Sequence, residues 1–313
     1  MRFGVYLSLS FLLIGCSARQ PFKVTPDPAD GVKPTLVGGP QTQTSAQSLQ
    51  EFIQKVRKAS AETKPPEHAP IVEPERSDPQ LMAALGAAAA RPSPEAYRAV
   101  AYEYRRLRVT DKAYEYLDKA AALAPRDGAT HEARARIWRD GGFTARALTD
   151  AHRAVYYAPA SPSAHNTLGT VFQALGQHRE ARQEYERAVA LDPAAAYALN
   201  NLCYAWLLER QPKRAVKACR AALASEPRLR AARNNLGLAY AASGDIDAAQ
   251  AAFDAAGDPA AARYNFGIVQ LARRRYSEAV SAFAAAQQIR PNWRMAAVRA
   301  QQAQQLANAG AEE

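Results

Sequence analysis

The sequence contains few cysteines, little glycine and no long apolar run. Three Cys among 313 residues exclude a small disulfide-rich domain, and 16 Gly and 20 Pro exclude a collagen-like or low-complexity chain. No uninterrupted stretch of about 18 apolar residues occurs, so we expect no membrane-spanning helix. The sequence also lacks a glycine-rich phosphate loop, a Gly-x-Ser-x-Gly elbow and a His-Glu-x-x-His pair. We therefore expect no catalytic residues, no cofactor and no metal site.

What is present is apolar material and positive charge. Apolar residues make up 48% of the chain, which is enough for one or two cores, and charged residues make up 22%. Forty Lys and Arg against 30 Asp and Glu give a formal net charge of +10. This balance suits an anionic partner or a membrane surface but requires neither.

The first residues are typical of a secretory signal. A basic start at Arg2 is followed by an apolar stretch up to Ile14 that is too short to span a bilayer. The next residues, Leu13-Ile14-Gly15-Cys16, resemble the bacterial lipobox. That resemblance implies a signal peptide over residues 1–15, lipidation of Cys16 with fatty acyl chains such as palmitate, and stable membrane anchoring. An ordinary signal with a chance Cys is the alternative.

By the same resemblance, Ser17 after the Cys indicates outer-membrane destination, since an Asp there would favour retention in the inner membrane. We expect a lipid-anchored protein that faces the periplasm, where nucleic acid is not an expected ligand. Residues 16–78 are rich in Pro, Thr, Gln and Ser and predict a disordered tether.

One stretch of this tether differs, at residues 48–61. Leu49, Phe52, Ile53 and Val56 follow the i, i+3, i+4, i+7 spacing of an amphipathic helix. The role of this segment stays open at this point. It is either a transient helix in a linker or a docking helix for a partner or for the protein's own groove, and its basic residues also allow a weak membrane-surface role.

A period of 34 residues governs the rest of the chain. Pro125, Pro159, Pro193 and Pro227 recur at that spacing, each after a phrase such as Ala-Leu-Ala or Leu-Asp. Between them, small, aromatic and apolar residues recur in register, as in Leu168-Gly169, Phe172, Gly176, Ala181, Tyr185 and Ala188. This pattern resembles the tetratricopeptide repeat, in which Gly or Ala lies where two helices cross closely.

The resemblance implies an all-α fold, a right-handed α-solenoid of about six helix-turn-helix repeats. A helix within residues 79–93 is expected before the repeats, and a capping helix over residues 294–308 is expected after them. The six predicted repeats span residues 94–127, 128–161, 162–195, 196–229, 230–259 and 260–293.

Three features depart from a uniform repeat. Arg134 occupies a position where the family prefers Leu. The step from residue 230 to residue 260 is four residues short of 34, which is about one helical turn, so the second helix of that repeat should be shortened. His131 and His165 lie one repeat apart, and repeat geometry explains that spacing without a metal ion.

In this family the concave face of the first helices binds peptides. In repeats four to six that face is predicted to hold a column of asparagines beside apolar residues: Asn200, Asn201, Tyr204, Asn234, Asn235, Leu238, Tyr264, Asn265 and Ile268. Asn offers both donors and acceptors to a peptide backbone. The alternative is that these asparagines serve packing between repeats.

The first two repeats present a basic patch at the equivalent positions, including Arg98, Arg105 and Arg136. Such a patch suits an acidic segment or a carboxylate terminus, although a solvated helix face explains it equally well. The remaining cysteines, Cys203 and Cys219, fall on facing helices of one repeat. In an oxidising compartment they either form a disulfide or act as two small buried side chains.

The order of lipobox, tether and six repeats resembles lipoproteins of tight-adherence pilus systems, the TadD type. Pilotins of the PilF/PilW kind share the plan but are usually shorter. This resemblance implies an assembly factor whose partner is a secretin or a pilin. An adaptor that scaffolds peptidoglycan-modifying envelope enzymes, similar to NlpI, is the alternative, and an enzyme is the third possibility.

Overall fold

A computed structural model describes residues 77–309, and within that range the chain forms helices and no strand. The leader, Cys16, the tether up to residue 76 and segment 48–61 lie outside the described residues. The chain divides into two compact units, described over residues 77–159 and 160–309. The expectation of an all-α fold of stacked helical hairpins is confirmed.

The N-terminal unit holds a single helix and two hairpins: α1 (Pro79–Ala90), α2 (Pro94–Arg106), α3 (Thr110–Leu123), α4 (Gly128–Asp140) and α5 (Thr144–Tyr157). The C-terminal unit holds four hairpins and a last helix: α6 (Pro162–Ala174), α7 (His178–Leu191), α8 (Ala196–Leu208), α9 (Pro212–Ser225), α10 (Arg230–Ser243), α11 (Ile246–Asp254), α12 (Pro259–Ala272), α13 (Tyr276–Ile289) and α14 (Arg294–Ala309).

The start of many first helices is set by local chemistry. Ser93, Asp127, Ser161 and Asp258 accept hydrogen bonds from backbone N–H groups of the first turn. Three of these four caps are followed directly by Pro, which has no N–H to leave unsatisfied at that position. The first three caps lie 34 residues apart and mark where hairpins one to three begin, whereas α8 and α10 begin without a side-chain cap.

Each hairpin closes on a face of small or apolar side chains in its second helix, which in the fifth hairpin includes Ala256 just after the helix ends. Three positions spaced i, i+4 and i+7 form this face, and none of their residues is more than 4% exposed: Ala113, Leu117, Ala120; Ala147, Ala151, Ala154; Ala181, Tyr185, Ala188; Ala215, Cys219, Ala222; Ala249, Phe253, Ala256; and Ala279, Phe283, Ala286. Opposite the aromatic members lies a glycine. A Cβ at Gly169 would approach the Tyr185 ring to 2.6 Å, so only glycine permits this close packing.

Arg134, on the first helix of the second hairpin (α4), lies among buried polar side chains. Arg134 Nη2 donates to the Tyr114 hydroxyl at 3.0 Å, and its guanidinium lies 3.3 Å from the buried Asp150 carboxylate. Trp138 Nε1 donates to the same carboxylate at 3.1 Å, and His131 Nδ1 lies 3.1 Å from it. Burial raises the pKa of Tyr114 to about 12. The side chain that departs from the family pattern therefore joins hairpins one and two.

The fifth hairpin is shortened in its second helix. Helix α11 has 9 residues, whereas α13 has 14, as the four-residue shortfall in the sequence predicts. The early end exposes backbone carbonyls, which two arginines of α10 bind. Arg230 Nε donates to Ala256 O at 3.0 Å, and Arg233 donates to Ala255 O.

Helix α14 ends the C-terminal unit. Its Ala296 and Ala303 are fully buried against the sixth hairpin, while its other side carries glutamines and asparagines. Such a polar outer face is typical of a terminal helix in a repeat array. None of the helices within residues 77–309 has both the length and the apolar character needed to cross a bilayer.

The turn inside every hairpin contains one residue in the left-handed region. Glycine takes this position in three hairpins and arginine takes it in the other three, with φ between 57° and 90°: Gly142, Gly176, Gly244, Arg108, Arg210 and Arg274. A side chain in this conformation costs about 1–2 kcal/mol, whereas glycine has no such cost.

Replacing Arg274 with glycine should therefore stabilise the C-terminal unit by about 0.5–1 kcal/mol, after allowing for the greater freedom of glycine in the unfolded chain. Urea unfolding followed by circular dichroism measures the change. Arg275→Gly is the matched control, since Arg275 has a φ of −89° and should lose stability on substitution. Equal effects of the two substitutions would refute the strain at Arg274.

Candidate functional site: the asparagine ladder

Asparagines from four successive first helices bond one another across the C-terminal unit. Three hydrogen bonds have the same form, with the donor one repeat after the acceptor: Asn201 Nδ2 to Asn166 Oδ1 at 2.8 Å, Asn235 Nδ2 to Asn200 Oδ1 at 3.0 Å, and Asn265 Nδ2 to Asn234 Oδ1 at 3.2 Å. We call these six residues the asparagine ladder. All three bonds join neighbouring first helices.

The ladder uses two adjacent positions of the first helices, and both positions are Asn in α8 and in α10. Asn200 and Asn201 are neighbours in α8, so one accepts from α10 while the other donates to α6. Asn200 Nδ2 also lies 3.5 Å from Asn201 Oδ1. A primary amide has two donor hydrogens and two acceptor lone pairs, and each bond between helices uses one donor of one amide and one acceptor of the other.

The asparagines therefore bond successive first helices to one another. All the ladder residues except Asn166, which is 7% exposed, are half-buried rather than enclosed. These bonds support the alternative that the asparagines serve packing between repeats. Contact of the same residues with a peptide stays a prediction.

Apolar and aromatic side chains of the same helices complete the predicted surface in part. Tyr204 on α8 and Leu238 on α10 are half-buried, and Leu238 packs against the cores on both sides of α10. Burial raises the pKa of Tyr204 above its ordinary value of 10.0, so its hydroxyl stays a hydrogen-bond donor at neutral pH. Tyr197, at the start of α8, is 43% exposed.

Two predicted groove residues lie elsewhere. Tyr264 and Ile268 are 4% and 3% exposed, and both belong to the core formed by α12, α13 and α14. The Tyr264 ring lies 4.7 Å from the Trp293 ring and 5.4 Å from the Phe283 ring, measured between centroids. The expectation that they contact a peptide is therefore wrong, because the last hairpin and the terminal helix cover them.

One ladder residue was not among the predicted groove residues. Asn166 accepts the first bond of the series, from Asn201, and lies on α6 in the third repeat. Its signal in the sequence is its position, which equals that of Asn200 and Asn234 in the next two repeats. Comparing one position down all six repeats identifies it.

The predicted basic patch of the N-terminal unit is neutralised by carboxylates. Arg98 donates to Asp127 and lies 3.4 Å from Glu95. The other two predicted arginines are also paired: Arg105 with Asp140 at 2.7 Å, and Arg136 with Glu132. The three guanidiniums line one small cleft together with Tyr102, whose side chain is 62% exposed.

The arginines around Asp140 lower the pKa of its carboxyl group. Burial alone would raise the pKa of this carboxyl, but the charge of Arg139 and the hydrogen bonds from Arg105 and Arg139 outweigh it. Its pKa is therefore lowered, so the carboxylate stays charged at neutral pH. A second anion at this cleft would have to compete with the carboxylates already present.

The ladder is braced by a disulfide on the same helix. Cys203 on α8 and Cys219 on α9 form a bond with their Cα atoms 5.2 Å apart, and both side chains are fully buried. Asn200 and Asn201 lie within one turn of Cys203, so the bond fixes the helix that supplies the middle of the ladder.

Comparisons with known proteins find similarity in part of the chain. The family model described as tetratricopeptide repeat matches residues 166–229, 209–259 and 234–292, which include every ladder residue. The first two hairpins lie before these matches. No protein among the curated sequences compared matches the chain.

Two solved structures share the fold. One is the Cut9–Hcn1 hetero-tetramer of the APC/C, with a TM-score of 0.62 and 18% identity over 82% of this chain; the chain spans only 55% of that protein. The other is pilF of Pseudomonas aeruginosa, with a TM-score of 0.55 and 17% identity, covering 67% of this chain and 96% of that one. At these identities the likeness concerns the fold alone.

Replacing Cys203 and Cys219 together with alanine should lower the free energy of unfolding by about 3 kcal/mol, because the bond closes a loop with a sequence separation of 16. Urea titrations with and without dithiothreitol measure the loss. Reductant should destabilise the natural chain and leave the double variant unchanged. An unfolding midpoint that is equal in both proteins and insensitive to reductant would contradict a stabilising bond.

Proposed function

We propose that this tetratricopeptide-repeat chain is a non-catalytic scaffold that binds protein segments along the asparagine ladder. A lipid on Cys16 would hold it at the periplasmic face of the bacterial outer membrane. There it would assist the assembly of a pilus or secretion machine. The observation that carries the proposal is the ladder itself, a row of six amides, five of them half-buried, that have donors and acceptors outside the ladder bonds.

The chemistry of the ladder matches a polypeptide backbone. A peptide in extended conformation offers alternating N–H donors and C=O acceptors, and an Asn amide binds both kinds of group. The amides are already oriented by their mutual bonds, so little side-chain freedom is lost when a ligand binds. Half-buried surroundings also strengthen each new hydrogen bond relative to one in water.

The cleft of the N-terminal unit is the weaker candidate. Its arginines bond carboxylates of the same unit, so an acidic ligand would have to displace Asp140 from Arg105 or Glu132 from Arg136. Ladder bonds involve neutral groups, and each amide keeps at least one donor hydrogen and one acceptor lone pair outside the ladder bonds. The ladder therefore supports partner binding better than the basic patch does.

The envelope location is supported by separate features. The lipobox-like sequence at Cys16 and the long Pro-rich stretch after it are typical of a tethered lipoprotein. The buried Cys203–Cys219 bond fits an oxidising compartment such as the periplasm. The proposed role in a pilus or secretion machine rests on this order of segments. The fold shared with pilF says nothing about the function of this chain.

Capture of the full-length chain from detergent-solubilised envelopes tests the proposed machine. Mass spectrometry of co-eluting proteins should identify a secretin or a pilin. Peptidoglycan hydrolases and synthases without pilus or secretin components would replace the assembly role by an adaptor role. Recovery of the chain in the inner membrane would contradict the proposed location.

The ladder is tested by Asn201→Ala combined with Asn235→Ala. We expect recovery of the captured partner to fall at least tenfold, because two donors that orient the remaining amides are lost. Each lost bond costs only about 1 kcal/mol of stability, so the fold should persist, which circular dichroism verifies. Asn292→Ala, at an exposed asparagine outside the ladder, is the control. Unchanged recovery with the double variant would show that the partner binds elsewhere.

A further inference from the structure

Helix α1 is apolar on all sides but is covered on one side only. Every residue from Leu81 to Ala90 is apolar or glycine. Leu81 and Ala88 are 0% and 4% exposed where the helix packs on α2. Met82 on another side is 50% exposed, and a side chain at Gly86 would meet no described atom within 4 Å. A helix that is apolar all round is normally buried all round, so part of its contact surface lacks a described partner.

The position of α1 before α2 is that of a second helix whose first helix is not among the described residues. A short connection, Arg91–Ser93, joins α1 to α2, and α1 packs on α2 as each second helix packs on the first helix of the next hairpin. Every second helix from α3 onward also buries a face of three residues against the first helix of its own hairpin. Among the described residues, α1 has no such first helix. Its open face consists of Met82, Ala83, Gly86, Ala87 and Ala90.

We propose that residues 48–61 of this same chain are the missing first helix and dock on the open face of α1. In strict repeat register that helix would fall near residues 60–72, but Pro65, Pro66 and Pro70 exclude a helix there. Upstream of these prolines, segment 48–61 combines the apolar spacing of an amphipathic helix with sufficient length.

The two surfaces are complementary in size. Segment 48–61 offers Leu49, Phe52, Ile53 and Val56 along one side. The open face of α1 offers small residues around Met82. The hairpins described here pack in the same way, a bulky side chain of one helix against a small residue of the other, as Tyr185 packs against Gly169. Large-into-small packing of this kind leaves no void at the helix crossing.

The connection between the two elements is long enough. About 17 residues, 62–78, separate segment 48–61 from α1, and a flexible chain of that length spans about 23 Å root-mean-square. Helix α1 has 12 residues and is therefore about 18 Å long. The linker can thus return segment 48–61 antiparallel to α1, the arrangement of two helices in a hairpin. This docking does not depend on the proposed function.

A cysteine pair in the full-length chain tests the docking directly. Phe52→Cys combined with Ala87→Cys places one thiol on the apolar side of the segment and the other on the open face. Mild oxidation should link the two positions within one chain at least tenfold more efficiently than in the control, Gln54→Cys combined with Ala87→Cys. Gln54 lies on the opposite side of the predicted helix. Peptide mapping separates this link from Cys16, Cys203 and Cys219.

Hydrogen exchange of the full-length chain gives a second readout without new cysteines. In Phe52→Glu the amides of residues 80–90 should exchange at least tenfold faster, whereas Gln54→Glu should leave their rate unchanged. Both substitutions lie outside the repeats, so the fold of the hairpins is not at risk. Equal linking in the two cysteine pairs, a link between two chains, or unchanged exchange in Phe52→Glu would overturn the proposal.

Discussion

The contact between the two helices of each hairpin determines the rest of this structure. A face of small residues in the second helix, such as Ala181 and Ala188, is completely enclosed by the first helix. Where one member of that face is a tyrosine or phenylalanine, the first helix supplies glycine. Because this contact repeats every 34 residues over five hairpins, each position of the repeat acquires a fixed place in space. Within the C-terminal unit, side chains at adjacent repeat positions of successive first helices therefore meet.

The asparagine ladder is the main consequence of that fixed register, and the shortened hairpin shows how robust the register is. The sequence separations of the bonded pairs are 35, 35 and 31, so the last rung crosses the shortened helix α11. The missing residues come from the second helix alone, and arginines of α10 bind the carbonyls left exposed. The first helices keep their alignment, and the final rung still forms at 3.2 Å.

Much of the fold could be predicted from periodicity, because the repeat encodes both helix ends and buried faces. Cap residues such as Ser161 and the prolines that follow them mark the helix starts, and the asparagine columns are visible at equivalent positions. The failures have physical causes. Tyr264 was expected in the groove because its position matches Asn200 and Asn234, but α14 covers the last repeat and buries it. Contacts made at the end of an array do not repeat, so periodicity cannot supply them.

The ion pairs of the N-terminal unit could not be predicted from the sequence pattern either. The arginines of the predicted basic patch are spread over two first helices. Arg98 and Arg105 of α2 pair with Asp127 and Asp140 at the two ends of α4. A count of charges along one face does not include those partners. Likewise, Arg134 appeared as a defect in the pattern, whereas its contact with Tyr114 and Asp150 joins two hairpins. Such polar contacts can be identified only from distances in the folded structure.

The account depends on the ladder being a binding surface as well as a packing device. Nuclear magnetic resonance of asparagine side-chain amides, in the full-length chain with and without a captured partner, tests this most directly. The account predicts shifted signals for Asn200, Asn201, Asn234 and Asn235, with the exposed Asn292 and Asn308 unchanged. Full binding of the partner with all ladder signals unmoved would contradict it and would leave the asparagines with a packing role alone.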